Sequence, residues 1–322
     1  MKVDTAGPAN GALHVALAPE ETLLDDVYDR IRCGQIADGM NALLPGLKAR
    51  RMSCGLPEWA ELTKAYLRHP LCQLLHQDPF THRAYSRPRG YPGDAALLDF
   101  IYGREEGWPP PAGTTDLGAM IFEYTTRSAA CEGVRARRGF VADFLDQLAE
   151  CRPRPDVLAV AAGHLREAEL CAAVKRRKLG RFVAMDCDRA SLREVQRCYG
   201  RFGVQTVWST IRQLLAQRSD LGQFDMVYST GLLDYLHEAM AQQLTWVMFQ
   251  MLRPGGRLLV ANFLPGIPDL GYMESYMDWR LLYRTRHEMV AVSALIPQAQ
   301  LRDLRIFTEE NQNIIFLQIT KA

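Results

Sequence analysis

A chain of 322 residues with 48% hydrophobic residues is long enough for roughly two domains of about 150 residues and can bury a sizeable core, which excludes a disordered chain. Its 38 Lys+Arg against 37 Asp+Glu leave a net charge of +1, so no overall field draws it to nucleic acid or to an anionic membrane. The first residues hold one Lys, an early Asp and a short apolar stretch broken by His14, which is not a signal-peptide pattern, and no later run has the length of a membrane span. The eight cysteines are scattered without a C-x-x-C pair, in a chain large enough not to need disulfide staples. The expectation is a soluble, cytoplasmic protein without membrane insertion.

Residues 1 to about 18 are small and Pro/Gly-containing and read as a frayed terminus. Over 19–47, Leu23, Leu24, Val27, Ile31 and Ile36 recur among charges at helical spacing. Trp59, Leu62, Tyr66 and Leu67 continue that spacing, and His69-Pro70 breaks it. Pro and Gly crowd residues 88–93 before a helical run over 95–102. The Pro/Gly-rich stretch 105–116 reads as a loop. It marks the expected boundary between a helical region, 1–115, and a second domain, 116–322. Residues 121–148 are helical again, with Arg127, Arg135, Arg137 and Arg138 along them.

From Pro155 strands alternate with helices, the pattern of βαβ units and a parallel sheet. Strands are expected at 156–163, 181–186, 204–209, 224–230 and 257–263, and two more surround a Glu-Glu-Asn-Gln-Asn turn at the end of the chain. The predicted fold is α/β: a doubly wound, mostly parallel seven-stranded sheet with a C-terminal antiparallel hairpin, plus the helical N-terminal region.

In such a sheet ligands bind beyond the carboxyl ends of the strands, where small residues let the backbone approach. Ala161, Ala162 and Gly163 are small residues in the first turn. Neither G-x-G-x-x-G nor a phosphate-loop motif is present, and one glycine after a strand also suits an ordinary turn. The second strand ends in Asp186-Cys187-Asp188, with Asp186 23 residues after Gly163. An acid there can accept both ribose hydroxyls of an adenosine, while Asp188 suits the N-cap of the next helix. His69, His76, His82 and Cys72 match no zinc spacing, so no metal is expected.

The small-residue turn and the acid are followed by FDMVYSTGLLDYL at the fourth strand, MLRPGGRLLVANF at the fifth and the terminal hairpin. Together they resemble the class I S-adenosylmethionine (SAM)-dependent methyltransferases over roughly residues 120–322. RPRGYPGDAALLDFIY, AAGHLRE, GLLDYL and YMDWRLLYRT look like a narrower group, from about residue 71 to the end. These are bacterial methyltransferases associated with the methyl ester of 3-hydroxypalmitic acid. That family's first turn looks like G-x-G-P-x-R-E, whereas Ala161 here replaces the first glycine and His164 the proline. The resemblance implies SAM as cofactor and S-adenosylhomocysteine (SAH) as product. It implies cofactor contacts at Ala161, Gly163, Asp186, Ser229, Thr230 and Gly231, with Thr210 and Ile211 beside the adenine. Tyr124 and Arg127 are candidates for the cofactor's carboxylate.

A carboxylate acceptor, with a pKa of about 4, is ionised at pH 7 and needs no general base. A hydroxyl acceptor needs one, with Asp234, His237 and His287 as candidates. Tyr272, Tyr276, Trp279 and Tyr283 fall at steps of four, three and four, one face of a helix, and either wall an apolar acceptor pocket or pack on the sheet. Arg87, Arg89, Tyr91 and Asp94 crowd a Pro/Gly loop that is either a lid or a turn in which Asp94 caps the next helix. Arg87, Tyr91 and Asn262 join the aromatics as acceptor-side candidates. The expected activity is O-methylation of a small-molecule carboxylate, such as a 3-hydroxy fatty acid. Alternatives are a hydroxyl- or amine-directed methyltransferase and a non-catalytic module on the same fold. The expected partner is the small-molecule acceptor, not nucleic acid, with a homodimer left open.

Overall fold

The computed structural model describes residues 20–216 and 221–322; the terminus expected to fray, 1–18, lies outside the described residues. Helices α1 (Glu20–Arg32) and α2 (Ile36–Ser53) replace the single helical stretch expected over 19–47. Gly34, at φ 79°, turns the chain between them, a conformation that costs glycine little. Leu24, Val27 and Ile31 meet Met40, Leu43 and Leu47 in a dry seam. There follow α3 (Leu56–Arg68), α4 (Leu71–Leu75), α5 (Pro79–Ser86), α6 (Ala95–Gly103), α7 (Asp116–Thr125) and α8 (Ala129–Cys151). The run over 121–148 thus belongs to two helices. α8 starts afresh where the Asp269 carboxylate accepts the Ala130 N–H at 2.6 Å, satisfying one of the orphan donors of a helix start.

Beyond α8 come β1 (Val157–Val160), α9 (Glu167–Leu170), α10 (Ala172–Lys175), β2 (Phe182–Asp186), α11 (Arg189–Tyr199), β3 (Val204–Trp208), α12 (Ile211–Leu215) and β4 (Phe224–Ser229). The chain continues through α13 (Glu238–Gln250), β5 (Leu252–Phe263), α14 (Leu270–Ser275), α15 (Arg286–Ala291), β6 (Leu301–Thr308) and β7 (Ile314–Lys321). The sheet order is β3-β2-β1-β4-β5-β7-β6. The first five strands run parallel, and β7 inserts antiparallel between β5 and β6. This is the predicted seven-stranded, Rossmann-like sheet of the class I methyltransferase fold. Central strand β1 is apolar throughout because both faces are covered, and all four of its residues are at most 1% exposed. The hairpin turn is held by Glu309, whose carboxylate accepts the N–H groups of Asn311 (2.5 Å), Asn313 and Ile314 (2.9 Å).

Two expected helices are interrupted for identifiable reasons. The run after the first turn splits into α9 and α10 because Asp146 on α8 accepts N–H groups of Ala172 and Ala173, at 3.0 and 2.6 Å. This caps a new helix at Cys171, whose ψ is 117°. The aromatic stripe is not one helix face: α14 ends at Ser275, and Asp278 takes φ 44°. The chain then runs extended beside the sheet, with Leu282 N–H on Asp234 O and Arg284 N–H on Phe263 O. Trp279 and Tyr283 therefore come from irregular backbone.

The helical layer shares its core with the sheet. One buried cluster passes from Leu24 and Trp59 through Ile101 and Val134 to Phe263 and Phe316, and α7 packs on α2, α4 and α5. Among the described residues no helix is long and apolar enough to cross a membrane, and no group of three or more His, Cys, Asp or Glu is arranged to hold a metal.

Candidate functional site

β1 and β4 are neighbours in the sheet although β2 and β3 intervene in the chain, so their carboxyl ends diverge at the switch point where such folds bind ligands. A cavity of about 350 Å³ lies there. Its floor is the turn from Ala161 to Glu167, Asp186 and Cys187 after β2, and Thr230 to Leu232 after β4. Tyr91, Gly93, Ala95, Leu98 and Tyr102 roof it, and Arg137 and Tyr235 stand at its sides.

The turn is tightly wound: Ala161, Gly163 and Leu165 all have φ near +54°. For alanine this left-handed conformation costs about 1–2 kcal/mol. The Ala162 N–H to Met185 O bond, 3.0 Å, and the Gly163 N–H to Asp186 Oδ2 bond, 2.8 Å, hold it in place. A side chain on Gly163 would come within 3.3 Å of Ala95 Cβ in the roof. Asp186 is thereby fixed, its Oδ1 taking the Asp188 N–H at 2.8 Å. Each carboxylate oxygen keeps a further acceptor site, and Asp186 lines the cavity. Asp188 caps α11 through the Ala190 and Ser191 N–H groups.

His164 is turned toward the roof. Its Nδ1 lies 2.8 Å from Asp99 Oδ2, and its Nε2 lies 3.5 Å from Arg89 Nη1. Asp99 is also gripped twice by Arg166, both at 2.7 Å. Burial works against the Asp99 charge, yet these hydrogen bonds hold its carboxyl below the usual range.

The Arg- and Gly-rich loop is pinned as a lid. Asp94 accepts the Leu97 N–H, capping α6 as expected, and Arg83 holds both of its oxygens. Arg87 reaches Asp278, and Arg89 reaches Asp188 and Ser191. Arg87 is thus spent on the lid's outer anchor and does not line the cavity. Tyr91 does, and burial, then the charge of Asp186, push its phenol well up.

Arg137 and Glu167 were not among the sequence candidates. Arg137 is 6% exposed, and its Nη1 donates to Thr230 O at 2.5 Å. Glu167 accepts from Tyr228 Oη at 2.6 Å. Burial pushes the Glu167 carboxyl up, opposed by that hydrogen bond and by the charges of Arg137 and Arg138. A buried cation and a half-buried carboxyl thus face one cavity. A signal existed: with Val134, Arg138 and Val141, Arg137 occupies the buried stripe of α8, where an arginine is unusual unless paired.

Tyr124 and Arg127 lie elsewhere. Tyr124 Oη donates to Asn41 Oδ1 at 2.7 Å, and Arg127 pairs with Glu123 at 2.7 Å. Both line a separate surface groove with Met120 and Pro268. Thr210 is spent on a capping box with Gln213, and Ile211 packs on the core behind the sheet; neither lines the cavity. Ser229 ends β4, its buried Oγ without a partner, and Thr230 and Gly231 after it do line the cavity.

On the acceptor side, Tyr272 Oη lies 2.8 Å from Thr81 Oγ1, in a hub around Asp78. That carboxylate takes the Phe80 and Thr81 N–H groups and the Thr81 and Thr125 hydroxyls. Burial pushes Asp78 up to about 6. Tyr276 is fully buried and stacks on Tyr66 at 6.4 Å, a packing role. Tyr283 is half-buried, its hydroxyl without a partner. Trp279 backs the cavity wall without lining it: its Nε1–H donates to Tyr235 Oη at 2.8 Å. Asn262 is a brace, donating to Leu282 O and accepting from Arg284. Asp234 accepts the Phe263 N–H at 2.7 Å, and burial pushes it up to about 6. His237, at the start of α13, and His287, in α15, are exposed and do not line the cavity.

The chain is similar in structure to a protein from Bordetella parapertussis described as a possible exported protein. That match has 16% identity and a TM-score of 0.57 over 95% of this chain and 100% of that one. Magnesium protoporphyrin IX methyltransferase (ChlM) from Synechocystis PCC 6803, with bound SAH, matches at 12% identity and a TM-score of 0.49. It covers 76% of this chain and 100% of that one. The N-methyltransferase NodS from Bradyrhizobium japonicum WM9, in complex with SAH, matches at 14% identity and 0.42, over 58% and 87%. Likeness at these identities speaks to fold. No family model and no curated protein matches the chain.

Proposed function

We propose that the chain is a SAM-dependent methyltransferase acting on a small-molecule carboxylate, with a methyl ester as product. The carrying observation is the charge layout of the switch-point cavity. Asp186 is fixed with spare acceptor capacity at the end of β2, where it suits a ribose diol. Buried Arg137 and half-buried Glu167 offer opposite charges, matching the carboxylate and ammonium of an amino-acid end. The two lie within electrostatic reach of each other, and a zwitterion would add a partner to each.

When bound, SAM would supply a methyl group already activated on a sulfonium. The work left to the chain is alignment and exclusion of water. The turn from Ala161 to Leu165 and Asp186 fix one end of the donor, and Arg137 and Glu167 the other. The lid, pinned through Arg83, Arg87 and Arg89, keeps solvent out. An acceptor carboxylate, ionised at neutral pH, would ask the chain for no proton acceptor. This suits a cavity that neither His237 nor His287 approaches. The 3-hydroxy fatty acid class rests on the resemblance of the lid and first-turn motifs.

Calorimetric titration with SAH, and with NADH as control, tests the donor site. Micromolar SAH binding without NADH binding supports the reading, and no SAH binding refutes it. Methyl transfer onto 3-hydroxy fatty acids then tests the acceptor class, with ester formation against ether or amine products deciding the atom methylated.

A further inference from the structure

Most of the switch-point cavity is walled by fixed structure. Its floor is the end of the sheet, α6 brings buried Ala95 and Tyr102, and the loop after β4 is pinned where Asp234 accepts the Phe263 N–H at 2.7 Å. The tip of the lid, residues 87–93, is different: none of its residues is buried. Its base is a clamp, since Arg83 on α5 holds both oxygens of Asp94, 1% exposed, at the start of α6. Gly93, at the foot of the tip, fits so closely that a Cβ there would come within 2.5 Å of Trp279 and 2.6 Å of Tyr235. A segment with so little buried surface opens at low cost unless side chains tie it down, and two arginines supply the ties. Arg87 pairs with Asp278 where both side chains are more than a third exposed, so water weakens that pair. Arg89 is better sheltered, at 23% against 19% for Asp188. Its Nη1 donates to Asp188 Oδ2 at 2.7 Å and to Ser191 Oγ at 3.0 Å, with His164 Nε2 at 3.5 Å.

We propose that Arg89 is the latch of the donor site: the donor enters and the product leaves when its contacts to Asp188 and Ser191 break and the tip lifts, while the Arg83–Asp94 clamp holds the base. The inference rests on the methyltransferase reading and extends it from what the site holds to how it exchanges. The identity of the latch's partners places it. His164 belongs to the first turn and Asp188 to the segment after β2, the two pieces of backbone that carry Gly163 and Asp186 and would bear the ribose end of the donor. Tyr91, two residues along the tip, lines the cavity within electrostatic reach of Asp186, so it covers the same end. Every contact of the latch is between protein groups. It is therefore available to the free and the loaded chain alike, and it governs the rates of entry and exit together, leaving the affinity between them unchanged. Arg89 is thus a positioning residue, acting through the lid.

The test measures SAH exchange on the full chain. Dissociation rates come from the line shapes of the adenine protons of SAH, affinities from calorimetry, and association rates from the two combined. Arg89→Ala removes charge-assisted hydrogen bonds and should raise the dissociation rate about tenfold or more. Its Kd should stay within about twofold of the parent, so the association rate rises with it. Arg89→Lys, which can still reach Asp188, should recover part of the slow exchange. Ser191→Ala, which removes one acceptor and leaves the arginine in place, should quicken exchange in the same direction by a smaller factor, and it serves if the Arg89 variants fail to fold. Rates unchanged in Arg89→Ala overturn the latch while leaving the donor site intact. A Kd that rises as far as the dissociation rate, with no faster association, also overturns it, because that pattern marks a lost donor contact or a damaged site. A parent chain that binds no SAH overturns the methyltransferase reading, and the latch with it.

Discussion

Replacing Arg137 by Gln separates the two ends of the proposed cofactor. The guanidinium is 6% exposed and donates to Thr230 O, so its charge is little screened. A hydrogen bond to a charged group is worth about 1.5–3 kcal/mol. SAH, which carries the amino-acid end, should therefore bind about 10- to 150-fold more weakly to Arg137→Gln. Methylthioadenosine, which lacks that end, should bind the variant and the parent alike. Arg127→Gln, on a side chain 59% exposed and paired with Glu123, should change neither affinity. The assay is calorimetry with both ligands on all three proteins. Equal loss for both ligands in Arg137→Gln would show damage to the fold instead of to a carboxylate contact. A loss confined to Arg127→Gln would return the contact to the residue that sequence reasoning chose.

Asp186→Ala should weaken SAH and methylthioadenosine together, at least about tenfold, because both carry the ribose; a loss confined to SAH would place Asp186 elsewhere. Ala161→Gly should raise stability by about 1 kcal/mol in urea unfolding by relieving the left-handed alanine, and a loss of stability would contradict the strain. Tyr276→Ala should cost about 3–5 kcal/mol, as expected for a large buried aromatic, whereas Tyr276→Phe, which removes a hydroxyl without a partner, should not lower the melting temperature. Asp78 titrates at about 6 in the fold against about 3.9 unfolded, so between those values the folded state holds a proton that the unfolded chain has released. Stability from this group is present at low pH and lost as pH rises through about 6. Relative to Asp78→Asn, the parent should lose about 3 kcal/mol between roughly pH 4 and pH 7, and a gain over that range would reverse the assignment.

The sheet was legible in the sequence because its signals are local. Apolar runs such as VLAV and FVAMD, bounded by turns, need no distant information to read as buried strands, and their alternation with helices implied the parallel order. Asp186, Asp188 and Asp94 were legible for the same reason, each lying next to the turn or helix start it serves. The interruptions were not. Cys171 breaks a helix because Asp146, 25 residues earlier, captures the backbone behind it, and the aromatic stripe leaves its helix where Asp278 turns the chain against β5. The cation of the cavity followed the same rule. Periodicity showed that 121–148 was helical with four arginines, but not where one helix stopped and the next began, which sets the face each arginine presents. Only the packing of α8 across the mouth of β4 directed Arg137 at Thr230 and Glu167, while α7 and the turn after it carried Tyr124 and Arg127 to a different surface. Local chemistry thus fixed which residues could serve a site, and the long-range packing of helices on the sheet decided which of them share one.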